Sequence, residues 1–241
     1  SNYNPAVART LLARQGDKVR WVGEPVVAVV AETYEQATDA AQAVFIDIDP
    51  LPAVVDLREA LTSDTHLYEA AGGNAVFDST VFGAAVNSGE DFFADCEVVV
   101  TVDALNQRVA PCPMEPRAAA AAWQDGRLHE WVSTQHAQGV RAQVAKANGV
   151  TEEEIHIITP DVGGGFGAKI GVYSEELLVG PLARATGRPV RFRETRSESI
   201  MNLGPGRGQF QTIKIGGRLD GRGTHFQFHL IQDSSWYREV G

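Results

Sequence analysis

Apolar and polar positions along the chain switch between a period of two and a period near 3.6, and the switches outline a mixed helix and strand layout. Val26, Val27, Ala28, Val29 and Val30 form a short β-branched run that predicts a strand. Ala37, Ala40, Ala41 and Val44 follow at helical spacing within residues 34–44. Phe45, Ile46, Asp47 and Ile48 then alternate as a second strand, which Pro50 and Pro52 stop. Residues 18–56 therefore read as a β-α-β unit. From about residue 56 to residue 88 few apolar positions are periodic and Gly72-Gly73-Asn74 intervenes, which predicts a connector.

Beyond the connector the pattern sharpens. Residues 96–102 read as a β run, and runs at 118–123 and 128–133 flank Gln124-Asp125-Gly126-Arg127, where Asp-Gly predicts a hairpin. Residues 138–148 are helix-like and end at Gly149, and Thr151 with three glutamates leads into a strand at 155–159. A helix is predicted over 174–186, with Ser174 as N-cap and Gly187 as stop, followed by a strand at 189–193. Residues 224–230 alternate as a half-buried strand with no evident partner, which suggests a piece of something longer.

Composition narrows the function classes. The chain has 241 residues, 44% apolar and 22% charged, enough for one large core or two modest ones. A formal net charge of −10 argues against a nucleic-acid surface or an anionic membrane surface, both of which need clustered Lys and Arg. No apolar run approaches the length of a membrane span. Cys96 and Cys112 stand in no metal-ligand spacing, and two isolated thiols fit a reducing compartment, so a cytoplasmic location is expected.

The chemistry concentrates in Pro160-Asp161-Val162-Gly163-Gly164-Gly165-Phe166-Gly167-Ala168-Lys169. Glycines without Cβ expose backbone N–H groups that can approach an anionic or flat cofactor closely. Gly163-x-Gly165-x-x-Ala168 formally matches a dinucleotide turn, but Pro160 and Asp161 interrupt the preceding strand and the helix begins several residues late. A phosphate P-loop does not fit, because Ala168 separates Gly167 from Lys169 and no Ser or Thr follows the lysine. A purely structural glycine loop stays open on local evidence.

Several ordered motifs extend the picture: Asn106-Gln107-Arg108, then Pro113-Met114-Glu115-Pro116-Arg117-Ala118-Ala119, Val132-Ser133-Thr134-Gln135, the glycine loop, Glu175-Glu176, and Ala185-Thr186-Gly187-Arg188-Pro189-Val190-Arg191. Together with Arg196-x-Glu198 they resemble the molybdopterin-binding large subunit of the xanthine dehydrogenase, aldehyde oxidase and aerobic carbon monoxide dehydrogenase family. Val22-Gly23-Glu24-Pro25-Val26 and Asp49-Pro50-Leu51-Pro52-Ala53 look like its α/β hammerhead domain. The resemblance implies an α+β fold: a partial hammerhead at 1–58, a connector at 59–90, and the first part of a mixed α/β molybdopterin-binding domain at 91–241.

It also implies a molybdenum-dependent oxidoreductase that hydroxylates a carbonyl, heterocycle or purine substrate or oxidises carbon monoxide. Gly164, Gly165, Phe166 and Gly167 map onto contacts with the molybdenum–molybdopterin cofactor, in its cytosine dinucleotide form. Gln135 maps onto the glutamine that approaches an oxygen on molybdenum, without ligating the metal itself. This chain departs from the family at His136-Ala137, where Pro often follows two residues after that glutamine, and His136 reads as a surface or packing residue. Arg117 is expected to pair with Glu115 or another carboxylate. Glu175 and Glu176 are expected at a helix N-terminus.

The family's general base lies near the far C-terminus of the large subunit, so no catalytic residue is assigned here and the chain is expected to be a fragment without turnover of its own. Iron–sulfur ligands are absent from the sequence. The resemblance therefore places [2Fe-2S] centres and FAD on partners, an iron–sulfur small subunit and a flavin-binding medium subunit, in a dimer of heterotrimers. An NAD- or FAD-dependent oxidoreductase using the glycine loop as a dinucleotide turn, and a non-catalytic assembly module, stand as alternatives.

Overall fold

The computed structural model describes residues 11–75 and 92–233, which fall into two compact units. Residues 11–49 and 110–206 make the first, and residues 50–75, 92–109 and 207–233 the second.

In the first unit a four-stranded sheet carries the core. It comprises β2 (Ala118–Gln124), β3 (Arg127–Val132), β4 (Ile155–Ile158) and β5 (Val190–Arg193), in the order β4-β3-β2-β5. The β2–β3 hairpin turns at Asp125 and Gly126 with φ of 49° and 79°. Two consecutive left-handed residues suit the right-handed twist of the strands, which is why Asp-Gly was legible as a turn. β3 and β4 run parallel, and the crossover between them contains α3 (Ala137–Asn148). Helix α4 (Ser174–Thr186) precedes β5. Both helices end on glycines in the left-handed region, Gly149 and Gly187.

Val140, Val144 and Ala145 of α3 and Val179 and Ala183 of α4 bury their apolar stripes against Ala119, Ala121, Leu128, Val132 and Ile155 of the sheet. The small alanines of β2 let α4 approach closely, and Trp123 ties that strand to α4 by donating its indole N–H to the Gly180 carbonyl at 3.0 Å. The unit also contains α1 (Tyr34–Gln42), with a Thr33/Gln36 capping box, and α5 (Arg196–Asn202).

The second unit holds α2 (Leu57–Ala60) and an antiparallel sheet of β1 (Val98–Asn106), β6 (Gln209–Gly217) and β7 (Gly223–Gln232), ordered β1-β6-β7. The run at 224–230 thus does have a partner, β6, with Phe228 opposite Ile213. That partner was hidden because a strand's ladder is set by register with a distant run, which alternation alone does not report.

Two predicted strands are corrected. Residues 26–30 and 45–48 join no sheet among the described residues. An apolar, β-branched run becomes a strand only where its N–H and C=O groups find a ladder, and here Phe45 is 88% exposed instead of packed. The N-cap of α4 is Tyr173, not Ser174, with Glu176 reaching back to the Tyr173 N–H at 3.0 Å. The connector is described only to residue 75, where it contains the end of α2 and a 3-10 turn at Glu69–Ala71; residues 76–91 lie outside the described residues. No helix among the described residues is long and apolar enough to cross a membrane.

One core residue contradicts the apolar pattern. Glu130 on β3 is fully buried, and neither carboxyl oxygen has a hydrogen-bond partner among the described residues. Burial first, and the neighbouring Glu176 charge second, push its pKa up to about 9 from an ordinary 4.5. The folded state therefore keeps a proton that the unfolded chain loses between those values, so this residue makes stability fall as pH rises through that window. Glu130→Gln is expected to melt near the parent temperature at about pH 4.5 and above it by a margin that widens towards about pH 9. Thermal melts at both ends of the range check this, and parallel curves would refute it.

Candidate functional site

The glycine loop leaves β4 at Ile158 and reaches α4 through Tyr173. Its backbone is fixed from below by side chains of two other segments. Glu115 accepts from the Gly163 N–H at 2.6 Å, from the Ser133 hydroxyl at 2.9 Å and from the Lys169 ammonium at 2.9 Å, all on Oε2. Lys169 is 1% exposed and also donates to Ser133 Oγ at 2.9 Å. A buried ammonium demands such partners. Burial would raise the Glu115 pKa, but the hydrogen bonds from Lys169, Gly163 and Ser133 outweigh it and hold the carboxyl below its usual range.

Gln135 secures the other half of the loop. Its side-chain oxygen accepts from the Gly167 N–H at 3.0 Å and from the Lys169 N–H at 3.2 Å, while its own backbone N–H donates to the Lys169 carbonyl at 2.9 Å. With the oxygen committed to the loop, the amide NH2 is the end left to donate outward. A Cβ on Gly165 would overlap the Gln135 amide, and one on Gly163 would overlap the Glu115 side chain. Glycine is required at both by close approach.

The loop then turns its aromatic residue outward. Phe166 is 75% exposed and sits at φ 52°, a left-handed conformation uncommon for a residue with a Cβ, between Gly164 at φ 95° and Gly167 at φ 89°. Ile170, just past the loop, is half exposed, and Pro113 lies against Gly164. The structure thus brings together all five residues singled out from the sequence: Gln135 holds Gly167 and closes over Gly165, and the Phe166 ring lies beside Gly164. The dinucleotide alternative fits this geometry poorly, since its phosphate-facing helix would begin within the loop whereas α4 begins at Ser174.

Behind the loop lies a charge cluster centred on Arg117, which is 1% exposed. Its guanidinium binds Glu194 at 2.6 Å and Glu175 at 3.1 Å, has Glu176 at 4.0 Å, and stacks 3.7 Å over the Tyr173 ring. Burial opposes its charge, but Glu175, Glu176 and Glu194 overcome this and raise its pKa. The expectation of a buried ion pair holds, with these carboxylates and not with Glu115, whose partner is Lys169. Glu175 and Glu176 do open α4, as anticipated, yet they also serve Arg117. Tyr173 links this cluster to the loop, its hydroxyl donating to the Ala168 carbonyl at 2.6 Å. His136 is exposed and precedes α3.

Sequence reasoning gave no role to Lys169, Ser133, Glu194 or Tyr173. The signal for Lys169 was present: a lysine following four glycines and an alanine in a chain segment flanked by core elements needs a buried counter-charge. Glu194 carried no local signal, because it meets Arg117 only through the β2–β5 pairing.

Comparisons with known proteins give the family. The family described as molybdopterin cofactor-binding domain matches residues 68–241. The chain belongs to that family. It is 34% identical over 235 residues to the nicotine 6-hydroxylase large subunit of Paenarthrobacter nicotinovorans, covering 96% of this chain and 28% of that protein. It is 28% identical to the carbon monoxide dehydrogenase large chain of Hydrogenophaga pseudoflava, covering 96% and 31%. Among solved structures, quinoline 2-oxidoreductase from Pseudomonas putida 86 superposes with a TM-score of 0.83 at 34% identity, over 93% of this chain and 28% of that one. The chain spans under a third of the length of each of these relatives.

Removing the central cation should unfold the cluster that backs the site. Arg117→Met leaves Glu194, which is fully buried, without its counter-charge, and is expected to destabilise by about 3–5 kcal/mol. Chemical denaturation measures this; a loss below about 1 kcal/mol would show that the pairing is not structural.

Proposed function

We propose that this chain is part of the large subunit of a molybdenum hydroxylase, and that Gln135, Gly164, Gly165, Phe166 and Gly167 hold molybdenum–molybdopterin, in its cytosine dinucleotide form. The observation that carries the reading is the Gln135 amide, whose oxygen is tied to the Gly167 and Lys169 N–H groups, which leaves its NH2 as the end free to donate to a ligand. A neutral donor of this kind stabilises an oxygen on a metal centre without adding charge. The glycine backbone allows close approach of a flat ring system, and exposed Phe166 supplies an apolar wall that excludes water. When bound, the cofactor supplies two-electron oxidation with oxygen insertion at an electrophilic carbon. The chain itself contributes position: Glu115, Ser133 and Lys169 fix the loop, and Arg117 fixes the helix behind it.

The domain reading keeps a partial hammerhead at 1–58, a connector at 59–90 and the cofactor-binding domain at 91–241. The full assembly would be a cytoplasmic dimer of heterotrimers, with [2Fe-2S] centres on a small iron–sulfur subunit and FAD on a medium flavin subunit to accept the electrons. One relative is named as subunit gamma of a dehydrogenase complex, which supports an assembly of several chains. The substrate class is an aromatic N-heterocycle. Two observations support it: the relatives named for nicotine and quinoline, and the uncharged, exposed side chains of Phe166, Ile170 and Met114 in and next to the loop and its Pro113 neighbour.

The test is expression of the full-length subunit with its partners, followed by elemental analysis and dye reduction with quinoline or nicotine. Molybdenum in the wild type, N-heterocycle turnover, and a roughly 10–100-fold lower kcat in Gln135→Ala are expected. Absence of molybdenum would overturn the reading; molybdenum without turnover of any substrate would favour the assembly module. The 241-residue chain alone is expected to give no turnover, because it spans under a third of its relatives. A thermal shift with NAD or FAD would restore the dinucleotide alternative.

A further inference from the structure

In the second unit, away from the glycine loop in sequence, three side chains with metal-binding atoms converge. Cys96 lies in the turn before β1, and its Sγ is 3.3 Å from His225 Nδ1 on β7. His225 Nε2 is 3.4 Å from Asp95 Oδ1. The ligand atoms of the three lie within 4.8 Å of one another. We propose that Asp95, Cys96 and His225 form a binding site for one zinc ion.

The donor set fits that metal. Thiolate, imidazole and carboxylate are the three protein donors zinc takes, and three of them leave a fourth position for water. With Zn–S near 2.3 Å and Zn–N near 2.0 Å, tetrahedral ligands stand roughly 3.5 Å apart, close to the separation the thiol and imidazole already have. One ion takes one imidazole nitrogen. Asp95, exposed and on the Nε2 side, is therefore the side chain that swings to complete the set.

The fold prepares this meeting. Register places Gly216 opposite both Val99 of β1 and His225 of β7, and a bulge falls at Gly216 and Gly217. Bulges re-aim side chains and recur beside functional sites. A Cβ at Gly216 would overlap the Cys96 thiol and the Phe93 ring, so glycine there opens the space the sulfur occupies. Phe92 stacks edge-on to His225 at 4.7 Å, and the Thr224 hydroxyl, 2.8 Å from Nδ1, is the contact that the ion replaces. An apolar wall of this kind limits water at a metal site and strengthens it.

Cobalt(II), which replaces zinc and reports thiolate ligation optically, tests the site on the chelator-treated whole chain. A cobalt–thiolate charge-transfer band saturating at one ion per chain, displaced by zinc, is expected. Cys96→Ser should abolish the band, His225→Gln should weaken binding by about tenfold or more, and Cys112→Ser should leave it intact. No band in the parent, or a band that survives Cys96→Ser, would overturn the proposal. Should Cys96→Ser fail to fold, alkylation of the parent decides: zinc should slow modification of Cys96 but not Cys112, and equal rates with and without zinc would overturn it.

Discussion

Arg117 is the constraint on which the first unit depends. One fully buried guanidinium joins the start of β2 to the end of β5 through Glu194, and the sheet to the N-terminus of α4 through Glu175 and Glu176. A planar group with five fixed donors can serve several carboxylates at once, which a lysine cannot. Glu194 is held by three hydrogen bonds from Arg117, one of them from its backbone N–H. The geometry therefore sets where the chain enters β2 as well as where the side chain lies. Such a cluster stabilises little beyond what apolar packing would give. Its effect is on geometry: a shift of α4 against the sheet would part Glu175 from the guanidinium.

That docking passes to the glycine loop through two residues. Tyr173 lies under the guanidinium and binds the Ala168 carbonyl, so the end of the loop is tied to the cluster. Lys169 points the other way, into the buried pair with Glu115 and Ser133. Between these anchors the loop backbone has little freedom, and the left-handed Phe166 is tolerable because its neighbours on both sides are pinned. A site whose backbone donors are set before a ligand arrives loses less entropy on binding than one that must order itself. The polar network below the loop and the apolar ring above it are thus parts of one arrangement.

The legible parts of the sequence were those whose cause is local. Asp125-Gly126 announced its hairpin and Gly149 and Gly187 their helix ends, because each rests on φ/ψ preferences of the residues named. Non-local causes were not legible. Residues 26–30 have the composition of a strand but no ladder among the described residues, and the partner of β7 lies in a run chosen by register. The site divides the same way. Gln135 and the glycines stand in recognisable motifs, whereas Lys169 and Glu194 act through partners 54 and 77 residues away in the chain.

Glu130 shows what the charge arrangement excludes. It shares the core with Arg117's carboxylates, and Glu176 is close enough to disfavour its ionisation, yet it makes no hydrogen bond among the described residues. An anion there would stand against the Glu176 carboxylate. Held neutral by burial, Glu130 instead behaves as a small polar defect in an apolar sheet face, opposite Ala121 in the β2–β3 ladder. Burial and the Glu176 charge act together to keep that proton in place. Ionising Glu130 would set a second negative charge near Glu176, the carboxylate that also accepts from the Tyr173 N–H.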